Sequence, residues 1–74
     1  MSERVVEVTH EDDGRARVDY LGLSLGSSLE PLQHAAAAML ETGLADADDD
    51  LVLVTRDGSI AERGRVGASI RRRT

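Results

Sequence analysis

One segment of this 74-residue chain has a clear helical pattern, and the segments on both sides of it have the pattern of strands. Over residues 29–42, apolar side chains recur every three or four positions, and four consecutive alanines add helix propensity. The apolar stripe consists of Leu29, Leu32, Ala36, Met39 and Leu40. Ser27 and Glu30 have the spacing of a capping box, and Gly43 suits the left-handed residue that ends a helix. We therefore expect one capped helix over residues 29–42.

The segment before the helix predicts a β-hairpin. Residues 4–10 alternate between apolar and polar side chains, and residues 15–20 alternate again after an Asp-Gly turn dipeptide. The apolar phase then shifts by one position next to Gly22. Because such a shift accompanies a bulge or a strand break, we expect the second strand to bend or end near Gly22.

The segment after the helix contains shorter strand patterns. The apolar run 51–54 is too short for a helix and has the pattern of a strand buried on both faces, hence central in its sheet. An Asp-Gly turn then leads to a short strand over residues 59–62. Residues 63–65 have the composition of a further turn or bulge, and residues 66–70 alternate weakly. These patterns predict one strand and then one or two short ones.

The element order predicts an α+β fold with the topology ββαβ(β), in which one helix packs on a small mixed or antiparallel sheet. The chain has the length of one domain, residues 1–74, and residues 71–74 are expected to form a disordered, arginine-rich tail. Cysteine is absent and Tyr20 is the only aromatic residue, so the core must be aliphatic and thin. The sequence leaves a monomer and a homodimer open.

Charge is divided unevenly along the chain. Residues 1–50 hold twelve acidic side chains against three arginines, a net charge of −9, whereas residues 51–74 hold six arginines against two acidic side chains, a net charge of +4; together they give the −5 of the chain. This balance favours basic partners and opposes non-specific binding to DNA or anionic lipid. No apolar run is long enough to span a membrane and no signal-peptide pattern is present, so we expect a cytoplasmic protein.

The sequence has none of the spacings that catalysis or cofactor binding requires. His10 and His34 are far apart, and no nucleophile elbow, Walker loop or paired-histidine motif occurs. The loop over residues 46–50 is rich in aspartate but lacks the central Gly and terminal Glu of an EF-hand. We expect no enzymatic activity, cofactor, metal or small-molecule substrate.

The acidic side chains are the candidate binding residues. Spaced carboxylates can present negative charge to a basic groove built for a nucleic-acid backbone. The predicted partner contacts are Glu11, Asp12, Asp13, Asp19, Glu41, Asp46, Asp48, Asp49 and Asp50. Acidity that merely keeps the protein dissolved is the alternative explanation. A further alternative is direct nucleic-acid binding by the arginines near the C-terminus.

Part of the chain resembles small acidic proteins encoded by phages and prophages. The resemblance spans residues 25–58, about half of the chain, and is carried by residues 25–31, 35–36, 40–44, 50–53 and 57–58. Some such proteins are anti-CRISPR inhibitors, which bind a CRISPR effector and in several cases occupy its DNA-binding surface. The resemblance therefore implies an inhibitor that mimics DNA and occludes the basic surface of a CRISPR effector or another nucleic-acid-binding complex.

The predicted element order is also similar to that of the ubiquitin-like β-grasp. That family is conjugated through a Gly-Gly tail, whereas this sequence has Arg-Arg-Arg-Thr at the corresponding place. This second resemblance implies a structural or adaptor module that is recognised through the face or edge of its sheet.

Overall fold

Residues 2–70 of the computed structural model are described, and they form an α+β domain with a five-stranded mixed sheet and two helices on one of its faces. The elements are β1 (Glu3–His10), β2 (Ala16–Tyr20), β3 (Leu23–Ser28), α1 (Pro31–Thr42), β4 (Asp50–Val54), β5 (Ile60–Arg65) and α2 (Val66–Ser69). The strand order is β3-β2-β1-β4-β5, with β1 and β4 parallel and every other pair antiparallel. The predicted fold class is confirmed. The predicted tail, residues 71–74, lies outside the described residues.

The predicted hairpin is confirmed as β1 and β2, and its turn is closed by the Glu11 N–H, which donates to the Arg15 carbonyl at 2.8 Å. The second strand ends close to Gly22, as expected, but the segment beyond it forms a third strand, β3, that the sequence did not predict. Leu21 and Gly22 make the two-residue connection with φ of 50° and 85°. Two positive φ values are the signature of a type I′ turn, which favours a tight hairpin.

Helix α1 begins at Pro31, two residues later than predicted, and the expected capping box does not form. Ser27 lies in β3, and Glu30 occupies the N-cap position without a side-chain cap bond. The Ser28 hydroxyl instead accepts a hydrogen bond from the Glu30 N–H at 3.1 Å. Leu29 precedes the helix and is 67% exposed, so its assignment to the buried stripe is wrong. The predicted C-terminus is confirmed, because Gly43 is left-handed.

The apolar run 51–54 is confirmed as an interior strand: β4 lies between β1 and β5, and Leu51, Val52 and Leu53 are all buried. The turn or bulge predicted at residues 63–65 is wrong, since these residues belong to β5. Residues 66–70 alternate only weakly, and residues 66–69 of this segment form the short helix α2 in place of a further strand. A Cβ added at Gly64 would lie 2.9 Å from Ser69 Oγ and 3.2 Å from Leu32 Cδ2, so glycine lets both helices lie close to β5.

The core lies between one face of the sheet and the helices. The sheet contributes the fully buried Val6, Val8, Val18, Leu51 and Leu53. Helix α1 adds Ala35, Ala36 and Met39, and α2 adds Val66. No element within residues 2–70 covers the opposite face of the sheet, here called the open face. Within that range no helix has the length and hydropathy needed to cross a membrane.

Candidate protein-interaction surfaces

Asp49 is a buried carboxylate that ties the N-terminus to the loop before β4. Its side chain accepts hydrogen bonds from the Ser2 N–H and hydroxyl, each at 3.0 Å, and from the Asp46 N–H at 2.8 Å. The Arg4 guanidinium lies 3.7 Å away. The Asp46 N–H, together with the Ser2 groups and Arg4, holds the pKa of Asp49 below its usual 3.8, against the opposing effect of burial. With only 4% of its surface exposed, Asp49 serves the fold and has little surface left to offer a partner.

Almost every arginine within residues 2–70 forms an ion pair. Five of the six arginines within residues 2–70 lie within 4 Å of a carboxylate, and Arg56 is the exception. The pairs are Arg4–Asp49, Arg15–Asp13, Arg17–Asp19, Arg63–Glu3 and Arg65–Asp50. The positive charge of this part of the chain is therefore locally balanced, and the excess charge is carried by carboxylates.

Four of the nine predicted contact residues take part in these internal pairs. Asp13 also accepts a hydrogen bond from the Arg15 N–H at 3.0 Å, which closes the β1–β2 turn. Asp19 and Asp50 each face an arginine on the open face, with 3.4 Å and 3.7 Å separations. Their charge is partly neutralised, so they are weaker candidates than the sequence suggested.

Five predicted contact residues remain exposed and make no ion pair within residues 2–70: Glu11, Asp12, Glu41, Asp46 and Asp48. Glu11 and Asp12 form the turn-end cluster, beside the C-terminal end of β1. Glu41, Asp46 and Asp48 form the loop-end cluster, because the Ala45 N–H bonds to the Met39 carbonyl and the Asp50 N–H bonds to the Ser2 carbonyl, next to the start of β1.

The structure places the two acidic clusters at opposite ends of the sheet rather than together. Strand β1 spans Glu3–His10, eight residues, and at about 3.3 Å per residue this separates the clusters by roughly 23 Å. The strand direction decides this arrangement, since the parallel pairing of β1 with β4 puts both strand starts at the loop end. Spacing along the sequence alone did not reveal the separation.

The open face has a different character. A groove of about 540 Å³ is lined by Val5, Glu7, Arg17, Asp19, Leu21, Gly22 and Val54. Val5 is 51% exposed and Leu21 is 88% exposed. Leu21 was missed as a surface feature, although the phase shift beside Gly22 marked its position. Its side chain lies at the rim of the groove in a left-handed backbone conformation that L-residues rarely adopt.

The side chains of His34 and Asp57 have structural roles. The His34 Nε2–H donates to the Leu25 carbonyl at 2.7 Å, and the ring lies against Gly26, where a Cβ would come within 3.0 Å of it. Asp57 accepts hydrogen bonds from the Thr55 hydroxyl and from the Ser59 N–H, and these hold its pKa below the usual 3.8. No group of three or more potential metal ligands occurs within residues 2–70. Arg71, Arg72 and Arg73, proposed for nucleic-acid contact, lie beyond that range.

No protein-family model, no curated protein and no solved structure matches this chain. The fold and surfaces therefore define the class from the structure alone: a small α+β domain with two acidic clusters and an uncovered sheet face.

Proposed function

We propose that the protein is a small interaction protein, without catalytic activity, that binds and occludes a basic surface on a nucleic-acid-binding protein or complex. A CRISPR effector is the partner that the phage-type resemblance suggests. The single observation that carries the proposal is the pairing of five arginines with carboxylates, which leaves the unpaired charge within residues 2–70 almost entirely negative.

The charge balance supports a basic partner in particular. All fourteen acidic side chains lie within residues 2–70, and nine of them make no ion pair there, against one unpaired arginine. Charge of one sign accelerates encounter with a surface of the opposite sign and repels nucleic acid itself. A basic groove that binds phosphates offers the complementary potential.

The spacing of the two clusters supports contact along a groove rather than at one point. Their separation of roughly 23 Å equals about seven phosphates along one strand at 3.4 Å of helix axis each. A nucleic-acid groove several nucleotides long can therefore engage the turn-end and loop-end clusters together. Asp49 is no longer among the contacts, because its carboxylate is occupied within the domain.

Displacement of labelled duplex DNA tests the proposal. The duplex is bound to a panel of purified DNA-binding proteins, including a guide-loaded CRISPR effector, and its fluorescence anisotropy is followed as this protein is added. We expect displacement from at least one member at about 0.1 M salt. Direct binding of the labelled protein to that member, without DNA, should then weaken as the salt rises to about 1 M, where the Debye length falls from about 10 Å to about 3 Å.

A charge-reversed variant tests whether the loop-end cluster is responsible for displacement of the duplex. The double variant Asp46→Lys/Asp48→Lys changes two exposed side chains whose carboxylates make no hydrogen bond or ion pair within residues 2–70. It should fold with an unchanged circular dichroism spectrum and fail to displace the duplex. Displacement by the variant equal to that of the wild type, or no displacement from any member of the panel, contradicts the proposal.

A further inference from the structure

The open face of the sheet differs from the two acidic clusters in three features. It is uncovered, it carries exposed apolar side chains, and its charges are nearly balanced. By strand register it holds the acidic residues Glu3, Glu7, Asp19 and Asp50 and the basic residues Arg17, Arg63 and Arg65. Four negative and three positive charges leave −1 on this face, whereas residues 2–70 as a whole carry fourteen acidic side chains and six arginines, a net −8.

We propose that the open face is the interface of a homodimer, with Leu21 as its apolar anchor. Two copies of an acidic protein repel each other least through the surface where charge is balanced. The seven units of net negative charge that lie elsewhere in residues 2–70 oppose any other mode of self-association. A second copy is therefore the occupant that the charge distribution favours.

The conformation of Leu21 is an independent observation for the same surface. The first position of a type I′ turn favours Asn, Asp or Gly, because a left-handed backbone crowds a larger side chain. Leucine at this position has φ of 50° and exposes 88% of its surface to solvent. Neither its backbone strain nor its exposure benefits an isolated domain, whereas an apolar side chain held at the rim of a groove serves as a contact.

The thin core is an energetic reason for the protein to dimerise. The largest fully buried side chains are Met39, two leucines and four valines, and small domains with such cores gain stability by oligomerisation. Five strands about 4.8 Å apart, with about 20 Å of strand length, give the face a footprint of roughly 500 Å². Standard interfaces bury about 800 Å² per partner, so we expect a weak dimer, with a dissociation constant roughly in the micromolar range.

Analytical ultracentrifugation from micromolar to millimolar concentrations tests the dimer directly. The wild type should shift from the 7.9 kDa monomer to twice that mass, and the shift should persist at high salt because the anchor is apolar and the charges of the face nearly balance. This persistence separates the dimer from the salt-sensitive binding under the proposed function, so either proposal can fail alone. A chain that stays monomeric over this range, even if its open face binds a different protein, overturns the inference.

The variant Leu21→Asn separates association from folding. Asparagine tolerates the left-handed conformation, so the melting temperature of the dilute monomer should rise or stay unchanged, while the dissociation constant should weaken on the order of tenfold or more. The matched control is Leu29→Asn, which removes another exposed leucine, 67% exposed, outside the open face. Dimerisation that survives Leu21→Asn, or that Leu29→Asn weakens equally, contradicts the proposal.

Discussion

The two faces of the sheet have opposite compositions although the same strands build both. Val6 faces the helices and is fully buried, whereas its neighbour Val5 faces the open side and is half exposed. The covered face is aliphatic, and the open face places ion pairs beside exposed apolar side chains. This difference separates the residues that hold the fold from those that are available for contact.

The largest difference in stability is expected between two valine-to-alanine substitutions on opposite faces of β1. Val6→Ala removes two buried carbons and leaves a cavity, so we expect it to lower the free energy of unfolding by roughly 2–3 kcal/mol. Val5→Ala should change it by about 0.5 kcal/mol or less in the dilute monomer, since surface substitutions usually do. Urea denaturation of both variants measures the difference, and equal losses would show that the two faces are not distinct.

An intermediate effect is expected at Asp49, the buried member of the acidic loop. Asp49→Asn keeps the shape of the side chain but replaces one carboxylate oxygen with an amide NH2 group, which donates and does not accept. The one remaining oxygen cannot accept the hydrogen bonds from both Ser2 and Asp46. The variant should melt at a lower temperature than the wild type, whereas Asp48→Asn, an exposed neighbour, should not. Equal melting temperatures for the two variants would contradict the structural role of Asp49.

The lowered pKa of Asp49 determines how the difference in melting temperature between the wild type and Asp49→Asn depends on pH. A carboxyl group whose pKa is lower in the folded state contributes stability above its unfolded value, near 3.8, and loses it as the pH falls through the lower folded value. The melting temperatures of the wild type and Asp49→Asn should therefore differ by a constant amount near neutral pH and converge below about pH 4. A difference that grows on acidification would contradict this assignment.

The smallest effect is expected from an ion pair on the open face. Arg17 and Asp19 lie 3.4 Å apart, and half of the Arg17 side chain is exposed. Exposed pairs contribute about 0–1 kcal/mol, so Arg17→Gln should barely change the free energy of unfolding in the dilute monomer. Urea denaturation at low and at high salt checks this, and a loss as large as that of Val6→Ala would assign the pair to the fold.

Local patterns in the sequence predicted the elements more reliably than the surfaces. The hairpin, the interior strand β4 and the helix end at Gly43 follow from alternation, an apolar run and a glycine. Strand β3 was missed because Ser27 and Ser28 resemble helix caps, although in the fold they pair with β2. Short-range propensity cannot decide between a cap and an edge strand when tertiary pairing is available.

The candidate surfaces depended on information that composition does not contain. The burial of Asp49 results from contacts with Ser2, 47 positions away in the chain. The separation of the two acidic clusters follows from the parallel pairing of β1 with β4, which no local pattern specifies. The sequence therefore identified the acidic residues as a group, and the fold divided them into paired, buried and free carboxylates.

We propose that the carboxylates of the turn-end and loop-end clusters bind a partner because of their position and not only because of their net charge. Two double variants of equal charge test it: Asp46→Asn/Asp48→Asn removes the exposed pair at the loop end, and Glu30→Gln/Glu62→Gln removes two carboxylates beside α1 and β5. In the displacement assay, at a salt concentration where the wild type is active, we predict that the first variant loses most of its displacing activity and the second retains it. Equal loss in both variants would contradict the account.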